Sequence, residues 1–253
     1  MGPWPSPGWI RTIGSGPSPT SSSTSSESCR RPAPAAKRPT RRTHETMTPH
    51  ELFADPRFWT LREALASYAG DPDDPPPGDD ERLQAAVSLV LRGRDDLELL
   101  LIKRARSERD PWSGHMALPG GRRDPGDTSL LETAVRETME ETAVELAGDA
   151  LHLGRLVEVA PESVRLPRLA IHPFVFGVHR GIEAKVASVE VAEIHWVPLA
   201  GLTRPGAVET VEIRVGGEAR EFPCFRVGGE VVWGLTFRIL SQFLDASPGD
   251  VLP

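Results

Sequence analysis

Cysteine is nearly absent from this 253-residue chain, which holds only Cys29 and Cys224. They lie far apart, one among polar residues and one beside Phe222 and Phe225. Such a pair makes no disulfide framework, which excludes the small secreted folds held by several bridges. No run approaches about eighteen consecutive apolar residues, and the first residues lack the apolar core of a secretory signal. No membrane partner is therefore expected, and a cytoplasmic location is the default expectation. No period of about twenty to fifty residues repeats, which excludes solenoids and propellers. Net positive charge is missing too: the formal charge is −7, and seven of the 29 Lys and Arg fall in residues 1–46, so the remainder is clearly acidic. An acidic domain gains nothing from displacing the counterions of a nucleic acid polymer. Polymeric DNA or RNA is not an expected partner.

What is present divides into three parts. Residues 1–46, rich in Ser, Pro, Thr and Arg, cannot bury enough apolar surface to offset their ordering entropy and read as a disordered extension. A basic tail or targeting peptide is the alternative reading of that composition, and Met47 stands where a shorter chain would begin. Residues 47–81 read as a helical preface and a linker: Leu52, Phe53, Phe58, Leu61, Leu65 and Ala66 recur at helical spacing, then Asp71 to Glu81 is acidic and Pro-rich. Residues 82–253 carry the main domain. Ala85–Leu91 and Leu97–Ile102 predict a hairpin across Arg92-Gly93-Arg94-Asp95-Asp96. Further strands are expected at Gly114–Leu118, Leu151–Val159, Leu169–Val178, Ile194–Val197, Glu209–Val215 and Val231–Trp233, with a turn at Pro119-Gly120-Gly121 and a closing amphipathic helix over Leu235–Leu244. Strands outnumber helices and alternate with them irregularly, which predicts a layered α/β domain with a mixed sheet.

A helix is predicted after Asp127, Thr128 or Ser129 as N-cap, with Glu132 placed to close a capping box on Ser129. At about 100° per residue, Leu131, Ala134, Val135, Thr138, Met139 and Thr142 fall on one arc, read as the core face. Glu137, Glu140 and Glu141 cluster on a second face, one turn deep. Three like charges at this spacing repel. Arg136 can pair with Glu140, but one guanidinium cannot neutralise three carboxylates, whereas a hard divalent cation such as Mg²⁺ or Mn²⁺ can. Gly120, at the preceding turn, would let a backbone carbonyl join the coordination. A solvated acidic face is the competing reading of the same string.

The string Gly120-Gly121-Arg122-Arg123-Asp124-Pro125-Gly126-Asp127, continuing to Arg136-Glu137-Thr138-Met139-Glu140-Glu141-Thr142-Ala143-Val144, resembles the Nudix box. It departs from the box in having Asp127 for the first glutamate, one extra residue before Arg136, Thr138 for an aliphatic and Ala143 for a glycine. Asp124, Asp127 and Ser129 in their longer spacing are similar to the coenzyme A pyrophosphatase branch of that family. Arg106-Ser107, Gly114, Ala117 and Pro119-Gly120-Gly121 match part of that branch's upstream block, while His115 stands where it has glutamine. Glu190 to Leu199 looks like the family's strand-and-turn segment, and the resemblance runs from about Leu83 to Asp245.

The resemblance implies a Nudix-type α/β/α sandwich and metal-dependent hydrolysis of a pyrophosphate linkage in a small-molecule nucleotide, above all coenzyme A or acyl-CoA. ADP-ribose, a dinucleotide or a nucleotide sugar is the nearest alternative substrate, and a non-catalytic nucleotide-binding domain the more distant reading. Glu137 and Glu141 are then the first metal ligands, Glu140 a further or water-mediated one, and Arg136 their orienting partner. The general base is open between Glu137, Glu190 and Glu193. His115, Arg165 and Arg168 are candidate substrate contacts, although a strand histidine and loop arginines are more often structural or solvated. Trp112, Trp196 and Trp233 could stack on a base, with core packing favoured for the last two, and Cys224 reads as a buried packing residue. A homodimer is left open.

Overall fold

In the computed structural model, which describes residues 55–69, 82–107, 112–161, 168–215 and 217–252, odd and even residues of Leu83–Gly93 face opposite ways. This strand, β1, sends Ala85, Leu89 and Leu91 into one apolar cluster and Ala86 and Val90 into another. β2 (Leu97–Arg104) repeats the division, with Leu97, Leu99 and Leu101 on the first side and Leu100 on the second. Strands buried on both faces need cover on both. On the first side it comes from α1 (Pro56–Ala69), through Phe58, Leu61 and Leu65, and from a C-terminal helix over Gly234–Ala246, through Ile239, Leu240 and Phe243. On the second it comes from α2 (Leu130–Thr142), through Leu130 and Ala134, followed by the short α3 (Leu146–Asp149). The expected α/β/α sandwich with a mixed sheet is what forms.

β1 and β2 are paired over three residue pairs only, from Leu91 with Leu99 to Gly93 with Leu97. The strands then part, and the chain from His115 to Arg122 fills the gap. Within it β3 (Met116–Ala117) pairs with β2, and β4 (Gly120–Arg122) pairs with Ala85–Val87 of β1. The Arg104 N–H donates to His115 O at 3.0 Å and the Ser88 N–H to Pro119 O at 2.8 Å. The chain bends at Pro119, within the expected turn, but Gly120 and Gly121 belong to a stretch of sheet. Gly-Gly-Arg has the composition of a turn, and only the unpaired edge of β1 makes it a strand.

On its other edge β1 runs parallel to β6 (Leu169–Val178), which is buried throughout and pairs on its far side with β5 (Ala150–Arg155). Proline is normally excluded from such a central strand. Pro173 is accommodated because β5 has ended there, and all that is asked of Pro173 on that side is its carbonyl, which accepts from Leu156 N–H at 2.9 Å. β5 stops short of the predicted Val159, which makes only an isolated bridge with Ile171. β7 (Val191–Pro198) pairs with β2, and α4 (Ala200–Thr203) follows. A separate antiparallel sheet then joins β8 (Glu209–Val215), β9 (Glu218–Val227) and β10 (Glu230–Trp233) before α5, the Gly234–Ala246 helix. β9 was not expected from sequence. Its faces are largely exposed, and charges and Pro223 mask the two-residue period.

The predicted extension 1–46, the first residues of the helical preface and the linker lie outside the described residues. No helix among the described residues is long and apolar enough to cross a membrane.

Candidate active site

Two local contacts cap the N-terminus of α2. Ser129 Oγ accepts the Glu132 N–H at 3.0 Å, as its N-cap position requires. The Glu132 carboxylate does not close the capping box on Ser129; it takes the N–H and hydroxyl of Thr128, at 2.7 and 2.6 Å. Inside, the hydroxyls of Thr138 and Ser88 lie 2.7 Å apart and both reach Ala134 O, so two polar groups facing each other across helix and strand satisfy one another. This pair accounts for Thr138 where the box has an aliphatic residue.

The pair also sets the rotation of the helix, which differs from the predicted arc. The buried stripe is Leu130, Thr133, Ala134, Thr138, Glu141 and Thr142, whereas Met139, expected in the core, is 42% exposed. The carboxylate trio is split accordingly. Glu141 is inside at 5% exposure, Glu137 is half-buried, and the Glu140 side chain is 59% exposed. Among the described residues no three His, Cys, Asp or Glu side chains form a group able to hold a cation by themselves. The three carboxylates expected to share one ion are not gathered here: Glu137 and Glu141, one helical turn apart, turn inward, and Glu140 faces out.

Both inward carboxylates meet β4. The Gly120 N–H donates to Glu141 Oε2 at 2.9 Å. A Cβ on Gly121 would lie 2.5 Å from the Glu137 carboxyl carbon, and one on Gly120 would strike the backbone of Ala86 and Val87. Gly120 is needed because the β1 backbone occupies the space of any side chain, and at Gly121 a side chain would displace the Glu137 carboxylate. Burial pushes the Glu141 carboxyl up to about 8, with the Gly120 hydrogen bond and the charge of Arg104 offsetting it only in part. Burial also raises Glu137, which Arg136 counters, while the charges of Glu140 and Glu190 raise it further. Two desolvated carboxylates beside a backbone kept bare by glycine are what a hard cation completes, since Mg²⁺ is commonly bound through one or two carboxylates plus substrate phosphate oxygens. The residues present fit such an ion.

Arg136 does more than the expected i,i+4 pairing. Its contact with Glu140 is 3.5 Å, whereas Nε and Nη2 donate to the two carboxylate oxygens of Asp127, each at 2.9 Å, and Nη1 donates to Glu137 at 2.9 Å. Asp127 also accepts from Asp124 N–H and the Thr133 hydroxyl. The Arg136 guanidinium beside it holds its carboxyl well below the usual carboxylate range. A fixed fork anchored on Asp127 thus presents one N–H to Glu137 and orients it. The sequence offered Asp127 only as an N-cap candidate, a place that Ser129 takes, and did not mark it as the brace of Arg136. The available signal was its place in the box, nine residues before Arg136.

Of the remaining candidates, Glu190 stands close enough for its charge to raise both Glu137 and Glu141. The loop leading to it is tied to the end of α2, with Lys185 N–H on Thr142 O and Ala187 N–H on Glu141 O. Glu193 is engaged elsewhere, by Lys103 Nζ at 3.2 Å and His195 Nε2 at 3.1 Å. His115 precedes β3, and its ring stands edge-on to Trp233 with centroids 5.0 Å apart. Trp233 also meets Phe222, and Trp196 lies under the Arg92 guanidinium, 4.0 Å from its ring centroid. Cys224 is buried, as expected. Arg168 is an exposed residue leading into β6, and Arg165 lies outside the described residues. Arg104, which no motif marked, is brought to Glu141 by the register of β2.

The NUDIX domain family matches residues 82–213. Over 184 residues the chain is 30% identical to a Yersinia enterocolitica protein named "Uncharacterized Nudix hydrolase NudL", a match covering 72% of this chain and 91% of that one. Over 118 residues it is 37% identical to "Uncharacterized protein C14C4.10c" of Schizosaccharomyces pombe, which takes in 46% of this chain but only 36% of the yeast protein. Among solved structures it is similar to a MutT/nudix family protein from Enterococcus faecalis, at 19% identity and a TM-score of 0.47, over 67% of this chain and 63% of that one. With the family matched over more than half of its length and the relationship to NudL running through most of both proteins, the chain belongs to the Nudix hydrolases.

Proposed function

We propose that this chain, a Nudix pyrophosphatase, cuts the diphosphate of coenzyme A or acyl-CoA, with Glu137 and Glu141 holding Mg²⁺ or Mn²⁺ against the β4 backbone at Gly120. The observation that carries the reading is buried Glu141 and half-buried Glu137 set against a glycine pair, an arrangement of like charges that is unfavourable without a cation. When bound, the ion would polarise a phosphoryl oxygen and lower the pKa of a bound water. The chain's own groups do the rest. The Gly120 N–H holds Glu141 in place, and Arg136, braced on Asp127, holds Glu137. Glu140, exposed at the rim, is left a water-mediated part.

Glu190, not Glu193, is the downstream carboxylate proposed as base, because Glu193 is already paired with Lys103. The water oxygen attacks one phosphorus, the bridging P–O bond breaks, and the water proton passes to Glu190. From coenzyme A the products are a phosphopantetheine and adenosine 3′,5′-bisphosphate. Support for this substrate is the spacing of Asp124, Asp127 and Ser129, although these side chains cap and brace α2 and need not touch substrate.

A panel of coenzyme A, ADP-ribose, NADH, diadenosine polyphosphates and nucleoside triphosphates, assayed with each metal, ranks the substrates. Preference for ADP-ribose or a dinucleotide replaces the coenzyme A assignment. Glu141→Gln keeps the acceptor for Gly120 but removes the charge, and is expected to lower kcat by orders of magnitude with the circular dichroism spectrum unchanged. Near-normal turnover in that variant refutes the ligand assignment.

A further inference from the structure

β8 forms one outer edge of the small sheet, whose strand order is β10-β9-β8, and among the described residues no strand pairs with its far side. We propose that this edge pairs antiparallel with β8 of a second copy of the chain, about a two-fold axis through Ile213. The pairing joins two three-stranded sheets into one across a weak homodimer.

The edge is open to a partner. Glu209–Val215 holds seven residues in unbroken register with β9, and it contains no proline, lysine or bulge, features that usually keep an edge from pairing. The outer part of the hairpin stands clear of the core: Thr210, Glu212 and Arg214 of β8 and Glu218 to Glu221 of β9 are all exposed.

Charge supplies the register. Arg226 pairs with Glu209 at 2.7 Å, Arg220 with Glu218 at 2.9 Å and Lys103 with Glu230 at 2.6 Å. Glu212, Arg214 and Glu221 are left as the charges of this sheet without an ion pair among the described residues. Glu212 lies directly opposite Glu221, and like charges at that spacing repel. A second β8 brings the missing cation. A two-fold axis perpendicular to a sheet keeps every side chain on its own face, so it must pass through a residue, and each choice of residue sets one register. Centred on Glu212 it opposes that carboxylate to its own copy, and centred on Arg214 it opposes two guanidiniums. Centred on Val211 it sets Glu212 against Thr210. Of the residues of β8, only Ile213 sets Glu212 against the partner's Arg214 and Arg214 against the partner's Glu212. On the other face the same register sets half-buried Val211 against the partner's Val215 and Ile213 against its copy, so an aliphatic row crosses the junction.

Seven edge residues a side bury less than a standard interface of about 1,600 Å², so a Kd of about 10–100 µM is expected. Sedimentation of the full chain should show a monomer–dimer equilibrium in that range. Hydrogen exchange at 209–215 should slow as protein concentration rises through the Kd. Glu212→Arg sets like cations opposite each other and Arg214→Glu like carboxylates. Each variant alone should therefore weaken dimerisation at least about tenfold with an unchanged circular dichroism spectrum. Mixed, the two variants are complementary at both positions, and native mass spectrometry should find the heterodimer in large excess over either homodimer. The double variant Glu212→Arg/Arg214→Glu should regain the original affinity. A chain that stays monomeric to about 500 µM overturns the proposal. So does a β8 protected at every dilution, the mark of an edge covered by another part of the same chain. A dimer that either charge variant leaves intact, or a mixture that stays monomeric, assigns association to another surface and overturns it too.

Discussion

At Ala143 the backbone turns left-handed to end α2, with φ at 56° and its N–H donating to Met139 O at 3.0 Å. It is the one non-glycine residue with positive φ among the described residues, and it occupies the position where the Nudix box has glycine. A Cβ in this conformation costs about 1–2 kcal/mol, part of which glycine gives back through the greater entropy of its unfolded chain. Ala143→Gly is expected to raise stability by about 0.5–1 kcal/mol, read from the urea midpoint at unchanged slope, without altering kcat. A neutral or destabilising result would sink the strain argument. The substitution was visible in the sequence, but the persistence of the left-handed turn beneath it was not. The same holds for Thr138, whose burial is explained only by Ser88 across the interface.

At the scale of elements, α1 lies outside the matched family segment yet fits into it through absences of side chain. A Cβ on Gly177 of β6 would lie 2.8 Å from the Phe58 ring, and one on Gly154 of β5 would lie 3.0 Å from Leu65. Phe58 is fully buried, so it has nowhere to retreat. Gly177→Ala should therefore cost about 1–3 kcal/mol, the usual range for overpacking. Combining it with Phe58→Leu should recover part of that cost in thermal unfolding, since contacting sites couple. Strictly additive losses would argue against this docking. Much of the element pattern could be read in advance: Leu169–Val178 and Glu209–Val215 fall where apolar periodicity put them. β4 and β9 could not, because a Gly-Gly-Arg strand exists only by virtue of its neighbours and an exposed sheet carries little apolar signal.

For the whole molecule, the buried carboxylates link stability to pH and to metal. Glu141 titrates near 8 and Glu137 is raised as well, against about 4.3 for an ordinary glutamate, so the folded protein holds protons that the unfolded chain has released. The associated stability is fully present below the unfolded value, falls by up to about 1.4 kcal/mol per pH unit for each such proton, and is gone once pH passes through about 8. With chelator present, Tm is expected to decline from about pH 6 to about pH 8, and Mg²⁺ or Mn²⁺ to reverse much of that decline by stabilising the charged form. Glu141→Gln should flatten the chelated profile and weaken the cation response. A chelated profile that is level or rising in the unsubstituted protein contradicts the linkage.

The amino-acid sequence carries the class of chemistry, because Arg136, Glu137 and Glu141 keep their helical spacing whatever surrounds them and Gly120-Gly121 precedes them at a readable distance. It also determined the layered α/β fold, through alternation in strands buried on both faces. Packing between helix and sheet settles the rest: which carboxylates face inward, that Arg136 braces on Asp127, and that Arg104 and Glu190 come near Glu141. Helical periodicity sets the angles between residues on a helix but not the rotation of that helix against a sheet, which depends on what the facing strand offers, here Ser88 to Thr138 and Gly121 to Glu137.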